Sequence, residues 1–299
     1  MVKLYAGIDA GQSATVAAIG DEQGREIARG SAGPADELGE TSQSTRLRDA
    51  LHAALGEALR SAGLAETTQF ASIVAGVSGY DGSVRGAPPA LPSANVTLLH
   101  DAPVAHAGAF GDGEGIVAIA GTGSVVYARN AEGAALTIGG WGYLFGDEGS
   151  GFWLARTAIA WSMRESDAGN EPPLATGAQR HFGVGSLREL AKQYYAGQVT
   201  RSNVAEFAAS VTAYAEHGDG MAARIVRDGA KLLVESVHSA AARLRMERAD
   251  VAFLGGVTKS APMRSAFAAS LAELCPGLRL VEPQRDAAGG ALLIASRTA

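Results

Sequence analysis

The chain has 299 residues, of which 47% are hydrophobic and 39 are glycines, so it can hold one large domain or two of ordinary size. Its net charge of −6, without a basic stripe, argues against a nucleic-acid partner. The single cysteine, Cys275, excludes an internal disulfide and a four-cysteine zinc site or iron–sulfur cluster within one chain. No apolar run reaches membrane-spanning length, so we expect a soluble cytoplasmic protein without a membrane partner.

Three short apolar runs near the N-terminus predict strands, at residues 4–9, 14–20 and 25–31. The turn at residues 9–13 joins the first two strands into a hairpin and offers small side chains, consecutive N–H groups and one carboxylate. These groups suit phosphates together with a magnesium ion, with Asp9 near the metal.

A helix is predicted over residues 41–62, where apolar side chains recur on one face and Gly63 ends the pattern. Two strands, at residues 71–77 and 96–100, follow, and both end in polar residues. In a parallel sheet such residues line one edge, where ligands bind in α/β folds.

Asp101 is the candidate catalytic carboxylate, because it directly follows the second of these strands. A compatible alternative makes Asp101 the N-cap of the helix that follows, with Pro103 in its first turn. His100 and His106 have no carboxylate partner by spacing, so we interpret them as structural or solvent-facing.

The pattern of strand, small glycine turn and strand recurs at residues 115–128. Its turn, Gly121-Thr122-Gly123-Ser124, supplies N–H groups and two hydroxyls. The repetition predicts two domains of one design, each presenting a phosphate-binding hairpin toward a shared cleft.

Residues 139–151 combine many glycines with aromatic side chains and with the acids Asp147 and Glu148. Because each glycine costs conformational entropy on folding, such a run predicts backbone that bends tightly and closely approaches a ligand. The alternative is a flexible, acidic surface loop. A helix is predicted to follow at residues 150–166.

The remaining chain predicts four scaffold helices, then a strand, a Gly-Gly pair, a helix, a strand and a last helix of small residues. The four helices span residues 174–181, 186–195, 203–217 and 221–248, and the later elements span 251–254, 262–274, 278–281 and 286 onward. Gly255 and Gly256 either let the chain pass beside a flat ring such as adenine or form an ordinary tight turn.

This ordered set of motifs resembles the superfamily of sugar kinases, actin and heat-shock chaperones, through residues 9–11, 121–124, 255–256 and 286–291. Residues 139–142 and 146–150 resemble its N-acetylglucosamine kinase and BadF/BadG/BcrA/BcrD-type ATPase branch. The resemblance implies an α/β fold of two ribonuclease H-like domains, with mixed five-stranded sheets and flanking helices around an ATP and sugar cleft. The implied domains are residues 1–112, with helix 284–299 packing back on them, and residues 113–283.

The resemblance also implies an ATP- and Mg²⁺-dependent transfer of the γ-phosphate to the 6-hydroxyl of N-acetylglucosamine or glucosamine. Asp101 would be the general base, and Asp9 would act on Mg²⁺ through water. ATP would be held by a set of small residues: Gly11, Gln12, Ser13, Thr122, Gly123, Gly255 and Gly256. The sugar would meet Ser78, Asp101, Thr122, Gly140, Asp147 and Glu148. A homodimer is the expected assembly.

Other functions of the same fold stay open. Kinases of acetylated sugars are expected to carry an Asn and an aromatic residue in the loop at residues 33–38, which has neither, so a hexokinase or glucokinase is an alternative. Asp36 or Glu37 in that loop would suit the amine of glucosamine. An ATPase activator of a radical dehydratase is disfavoured, because its shared cluster needs two cysteines from each subunit. A non-catalytic sugar sensor is disfavoured by the absence of basic patches.

Overall fold

The computed structural model describes residues 3–35 and 41–298, so the loop acids Asp36 and Glu37 lie outside the described residues. The chain divides into two compact units, Met1–Val117 with Glu282–Ala299, and Ala118–Val281. Within the described parts of the chain, every helix is too short or too polar to serve as a transmembrane segment.

The first unit is built on five strands: β1 (Tyr5–Ala10), β2 (Thr15–Gly20), β3 (Glu26–Ala32), β4 (Ser72–Val77) and β5 (Val96–His100). Their order in the sheet is β3-β2-β1-β4-β5. β1 and β3 pair antiparallel with β2, whereas β1, β4 and β5 run parallel. The ends of the three parallel strands therefore share one edge of this mixed sheet.

Helices cover both faces of this sheet, as the alternation of its apolar residues requires. α1 (Arg46–Ser61) buries a leucine stripe against the face that carries Ile8 and Ile73. The opposite face, which carries Val74, packs against α2 (Asp101–Phe110) and the last helix, α10 (Ala287–Arg297). α10 thus completes the hydrophobic core of the first unit from the far end of the chain.

The second unit repeats the same sheet order with five more strands: β6 (Gly115–Ala120), β7 (Ser124–Arg129), β8 (Ala135–Gly139), β9 (Ala249–Leu254) and β10 (Leu278–Val281). Their order is β10-β9-β6-β7-β8, with β7 and β8 antiparallel and β9 and β10 parallel. The predicted fold class, two α/β units with mixed five-stranded sheets, is confirmed. β8 has no counterpart among the predicted strands.

Seven helices of the second unit are α3 (Gly151–Asp167), α4 (Pro173–Phe182), α5 (Leu187–Tyr195), α6 (Arg201–Glu206), α7 (Ala208–Glu216), α8 (Gly220–Leu244) and α9 (Ala261–Leu274). The single helix predicted over residues 203–217 is wrong, because the chain breaks at Phe207, whose N–H donates to Val204 O in a tighter turn. The long helix predicted to Arg248 ends earlier, because Arg245 takes a left-handed conformation with φ of 56°.

Candidate active site

Three candidate residues lie at the shared edge of the parallel strands in the first unit. Asp9 stands near the end of β1, opposite Gly76 of β4. Ser78 follows β4, and its N–H donates to Ala10 O at 2.9 Å. Asp101 follows β5 as the first residue of α2. The strand order therefore brings together side chains that are far apart in the sequence.

Asp9 is a carboxyl group in an unfavourable environment for its charge. The side chain is half-buried, and burial, with the negative charges of Asp101 and Asp286, raises its pKa from 3.8 to about 7. Asp286 is itself stabilised as the N-cap of α10, where it accepts from Gly289 N–H at 2.9 Å and pairs with Arg29. A cation beside Asp9 would relieve the mutual repulsion of these carboxylates.

Asp101 is not the N-cap of α2, in contrast to the alternative role predicted for it. His100 takes that position, because its backbone is extended and its Nδ1 accepts from Ala102 N–H at 3.2 Å. Asp101 Oδ1 lies 2.7 Å from the same Nδ1, so His100 does have a carboxylate partner, contrary to the prediction. His106 is structural, as expected, since it is buried and its Nε2 meets Gly115 O at 3.2 Å.

The protonation state of His100 decides what Asp101 can accept. While Nδ1 accepts from Ala102, it has no proton to give, and the buried Asp101 Oδ1 has no hydrogen-bond donor among the described residues. The carboxylate of Asp101, outweighing the effect of burial, raises the pKa of His100. His100 with a proton on Nδ1 can donate to Asp101 but then no longer accepts from Ala102 N–H, whereas neutral His100 with its proton on Nε2 keeps that contact and does not donate to Asp101.

The turn after β1 carries the predicted phosphate ligands Gly11, Gln12 and Ser13. Gly11 N–H donates to Ala14 O at 2.9 Å and closes the turn. Gln12 Oε1 is buried without a hydrogen-bond partner in the part of the chain that the structure describes, and Ser13 is exposed. Gly11 thus shapes the turn, while Gln12 retains an unused acceptor.

The side-chain oxygens of Asp9 and Gln12 are of the kind that binds a magnesium ion, which prefers oxygen ligands and keeps several waters. The Asp9 carboxylate, whose negative charge is unfavourable without a cation, and the unpartnered Gln12 Oε1 could both serve as such ligands. Across residues 3–35 and 41–298, no three His, Cys, Asp or Glu side chains converge on one metal position. A metal here would therefore depend on water and on phosphate oxygens for most of its ligands.

In the second unit, the turn between β6 and β7 carries Thr122 and Gly123. Gly121 N–H donates to Gly123 O at 2.9 Å. The start of α3 docks on this turn, where Gly151 N–H donates to Gly121 O at 2.8 Å and Phe152 N–H to Thr122 O at 3.2 Å. The helix that ends the glycine-rich segment thus holds the turn in place.

The glycine-rich segment between β8 and α3 is tied down at its acidic end. Asp147 is only 4% exposed, and its Oδ1 accepts from Ser124 N–H at 3.1 Å. Glu148 O accepts from Ser124 Oγ at 2.8 Å. Burial raises the pKa of Asp147, while the Ser124 N–H and Arg201 oppose that shift. These contacts do not fit the alternative of a flexible acidic loop.

The other end of this segment is open to solvent. Gly140 is exposed just after β8, and the large apolar side chains at the tip are exposed as well: Trp141, Tyr143, Leu144 and Phe145. The segment therefore combines a buried anchor at Asp147 with an exposed apolar tip.

Gly255 and Gly256 differ in their surroundings. A Cβ on Gly255, at φ of 100°, would lie 2.4 Å from Ala120 O, so the close approach to β6 alone requires glycine there. Gly256 begins a short 3₁₀ turn (Gly256–Lys259), and a Cβ on it would meet nothing within 4 Å. The tight-turn interpretation thus accounts for Gly255 but not for Gly256.

The sequence interpretation did not identify two residues that contact candidate residues, one in each unit. His100 could have been found, since it directly precedes Asp101 in the chain. Arg201 contacts Asp147 across 54 residues, and no local pattern marks such a pair.

Comparisons with known proteins agree with this architecture. A model of the BadF/BadG/BcrA/BcrD ATPase family matches residues 6–295. An N-acetylmuramic acid/N-acetylglucosamine kinase from Clostridium acetobutylicum is 31% identical over 204 residues, which cover 67% of each chain. A crystal structure from Chromobacterium violaceum, of a protein proposed to be an N-acetylglucosamine kinase, has 26% identity and a TM-score of 0.81, covering 98% of this chain and 99% of that one.

A more distant structure shows the fold alone. The ROK family glucokinase from Streptomyces griseus, solved with glucose and AMPPNP, is 18% identical, with a TM-score of 0.58 over 98% of each chain. The kinase relatives support a phosphotransferase activity. Because the family model spans nearly the whole sequence, the chain belongs to the BadF/BadG/BcrA/BcrD ATPase family.

Proposed function

We propose that this protein is an ATP-dependent kinase that transfers the γ-phosphate to the 6-hydroxyl of an amino sugar, either N-acetylglucosamine or glucosamine. The observation that carries the proposal is the position of Asp101, a carboxylate at the strand edge beside Asp9 in a relative of amino-sugar kinases.

Asp101 is proposed as the general base. Its carboxylate accepts the hydroxyl proton of the sugar while the 6-oxygen bonds to the γ-phosphorus and the bond to the leaving ADP breaks. A proton on His100 Nδ1, 2.7 Å from Asp101 Oδ1, would weaken this base. Asp9 and Gln12 would hold Mg²⁺, Asp9 through water, and the ion would neutralise phosphate charge.

The remaining contacts are proposed from the motif positions. Phosphate groups meet Gly11, Gln12 and Ser13 in the first unit and Thr122 and Gly123 in the second, and the nucleoside borders Gly255 and Gly256. Ser78, Thr122, Gly140, Asp147 and Glu148 meet the sugar. Phosphoryl transfer requires mainly alignment and neutralised charge, so small, hydrogen-bonded turns suit the task.

The proposed partners are ATP, Mg²⁺ and the sugar, within a homodimer and without nucleic acid. The net charge of −6 supports the last point. Light scattering on a size-exclusion column tests the dimer directly.

A substrate panel tests the activity. ADP release is measured with N-acetylglucosamine, glucosamine, N-acetylmuramic acid, glucose and no sugar, and phosphorus–proton correlation spectra locate the phosphate on the product. We expect release to depend on an amino sugar and the phosphate to lie on the 6-oxygen. Equal release with and without every sugar would exclude the kinase, and a preference for glucose would favour the glucokinase alternative.

The role of Asp101 is tested by Asp101→Asn. We expect kcat to fall by roughly 10²–10⁴, the usual contribution of a general base, while ATP binding survives. Asp112→Asn is the matched control, since Asp112 lies in the same unit just beyond α2 with 73% of its side chain exposed. Turnover of Asp101→Asn near the wild-type rate would remove Asp101 from this role.

A further inference from the structure

Arg201, the first residue of α6, reaches the glycine-rich segment of its own unit. Its Nη2 donates to Asp147 Oδ2 at 2.7 Å, with only 16% of the Arg201 side chain and 5% of the Asp147 side chain exposed. The guanidinium also lies over two rings, 5.1 Å from the centre of Tyr143 and 5.9 Å from that of Phe152. Arg201 therefore joins α6, the aromatic part of the segment and its buried acid.

Asp147 is held at both carboxylate oxygens and has an uncommon backbone conformation. Its φ is 61°, in the left-handed region that few non-glycine residues adopt. Oδ1 accepts from Ser124 N–H while Oδ2 accepts from Arg201. Such a backbone persists where surrounding contacts over-determine it. Here the Ser124 N–H and Arg201 hold the carboxylate, and Ser150 N–H donates to Asp147 O at 3.1 Å.

The same ion pair packs against the turn between β6 and β7. A Cβ placed on Gly123 would lie 2.8 Å from Arg201 Nη2 and 2.9 Å from Asp147 Oδ2. The pair thus fills the space beside Gly123, and its position and that of the turn depend on each other.

The start of α6 is itself firmly placed. Thr200 Oγ1 accepts from Asn203 N–H at 3.2 Å, and Asn203 Oδ1 accepts from Thr200 N–H at 3.0 Å, which is a complete capping box. The capping box therefore fixes the backbone from which the Arg201 side chain extends.

We propose that Arg201 is a positioning residue for the sugar, which holds Asp147 charged and oriented beside the turn at Thr122 and Gly123. This inference rests on the proposed function, in which Asp147 and Thr122 meet the sugar. Without Arg201, Asp147 keeps a buried carboxylate with one fewer partner, so the side chain turns away or takes up a proton. Sugar binding then weakens, while the phosphate-transfer step at Asp101 in the other unit is little changed.

The test compares Arg201→Gln, Arg201→Lys and Arg188→Gln by steady-state kinetics and by calorimetric sugar binding. We expect Arg201→Gln to raise KM and Kd for the sugar at least tenfold with kcat within threefold. Arg201→Lys keeps the positive charge, and only one nitrogen of Arg201 bonds to Asp147. We therefore expect this variant to recover a large part of the lost sugar affinity. Arg188 pairs with Asp167 at 3.6 Å with both side chains largely exposed, so Arg188→Gln is the matched control and stays like the wild type.

A double variant covers the case in which Arg201→Gln does not fold. Asp147→Asn with Arg201→Gln removes both charges and leaves no unpaired ion in the interior. We expect it to fold with a sugar Kd as weak as that of the single variant, because the oriented carboxylate is absent. Sugar affinity at the wild-type level in this variant would contradict the inference.

The outcomes separate the inference from the proposed function. Sugar binding by the wild type without phosphate transfer overturns the proposed function, and the Kd of Arg201→Gln still decides the role of Arg201. Transfer by the wild type with an unchanged KM and Kd in Arg201→Gln overturns only the inference. If the wild type neither binds nor phosphorylates a sugar, both are wrong.

Discussion

Replacing Asp9 by Asn is expected to make the protein more stable in neutral solution. Burial and the charges of Asp101 and Asp286 raise the pKa of Asp9 from 3.8 to about 7. The folded chain thus binds this proton more tightly than the unfolded chain, so the free energy of unfolding falls as pH rises between these values and stays lowered above about pH 7. At 1.36 kcal/mol for each pKa unit, the full cost is at most about 4 kcal/mol, since Asp9 keeps some contact with solvent.

The measurement is urea unfolding of Asp9→Asn and the wild type from pH 5 to pH 8 in the absence of divalent cations. Asn cannot ionise, so the advantage of the variant is expected to grow with pH, by up to about 2.5 kcal/mol between these limits. Any constant difference between the amide and the acid cancels in this comparison. Turnover should fall at the same time, because the proposed Mg²⁺ ligand is lost.

Asp250→Asn serves as the control for the pH series. The hydrogen-bonded Arg279 lowers the pKa of Asp250, so its ionisation lies below the window and its effect on stability should be flat from pH 5 to pH 8. A flat difference for Asp9→Asn as well would refute the electrostatic account of Asp9.

Three further predictions follow from single contacts. Gly255→Ala should lower the free energy of unfolding by about 1–3 kcal/mol in urea, because its Cβ would meet Ala120 O at 2.4 Å. Leu292→Ala should cost about 2–5 kcal/mol, because this side chain of α10 is fully buried in the first unit. His100→Asn keeps an N-cap residue but removes the imidazole. Because no protonated ring can then donate to Asp101, the acid limb of the kcat/KM profile should move to lower pH.

Each of these predictions has a neighbouring control. Gly256→Ala should leave stability within about 0.5 kcal/mol, because a Cβ there meets nothing within 4 Å. Leu293→Ala removes a partly exposed side chain of the same helix and should cost less than Leu292→Ala. Equal losses within either pair would contradict the packing argument, and an unmoved acid limb in His100→Asn would show that His100 does not govern Asp101.

Strands and their polar ends were predictable because their information is local. Apolar runs that stop at Asp9 or just before Asp101 mark both a strand and the edge where it ends. Only the first of these strands is buried, because β5 lies at the side of the sheet and is exposed or half-exposed along its length. The repeated glycine turn at residues 121–124 likewise indicated that the second unit copies the first.

The errors have physical causes. β8 is short, and its Ala135–Gly139 sequence lacks the unbroken apolar run that marks a buried strand. In the structure this strand is mostly half-exposed. The break at Phe207 depends on tertiary packing of a fully buried ring, which helix propensity does not register. The Arg201–Asp147 pair joins two segments through the folded unit, and only the structure brings these residues together.

The place of α10 in the first unit has a consequence during synthesis. Tyr5, Ala18 and Val74 are synthesised before the second unit, but the face that they form with α2 is completed by Ala291 and Leu292, which follow that unit in the chain. At typical translation rates of 5–20 residues per second, the intervening second unit takes roughly 10–30 s to produce. For that time this face of the sheet lacks α10, so shortening α10 is expected to destabilise the unit that was synthesised first.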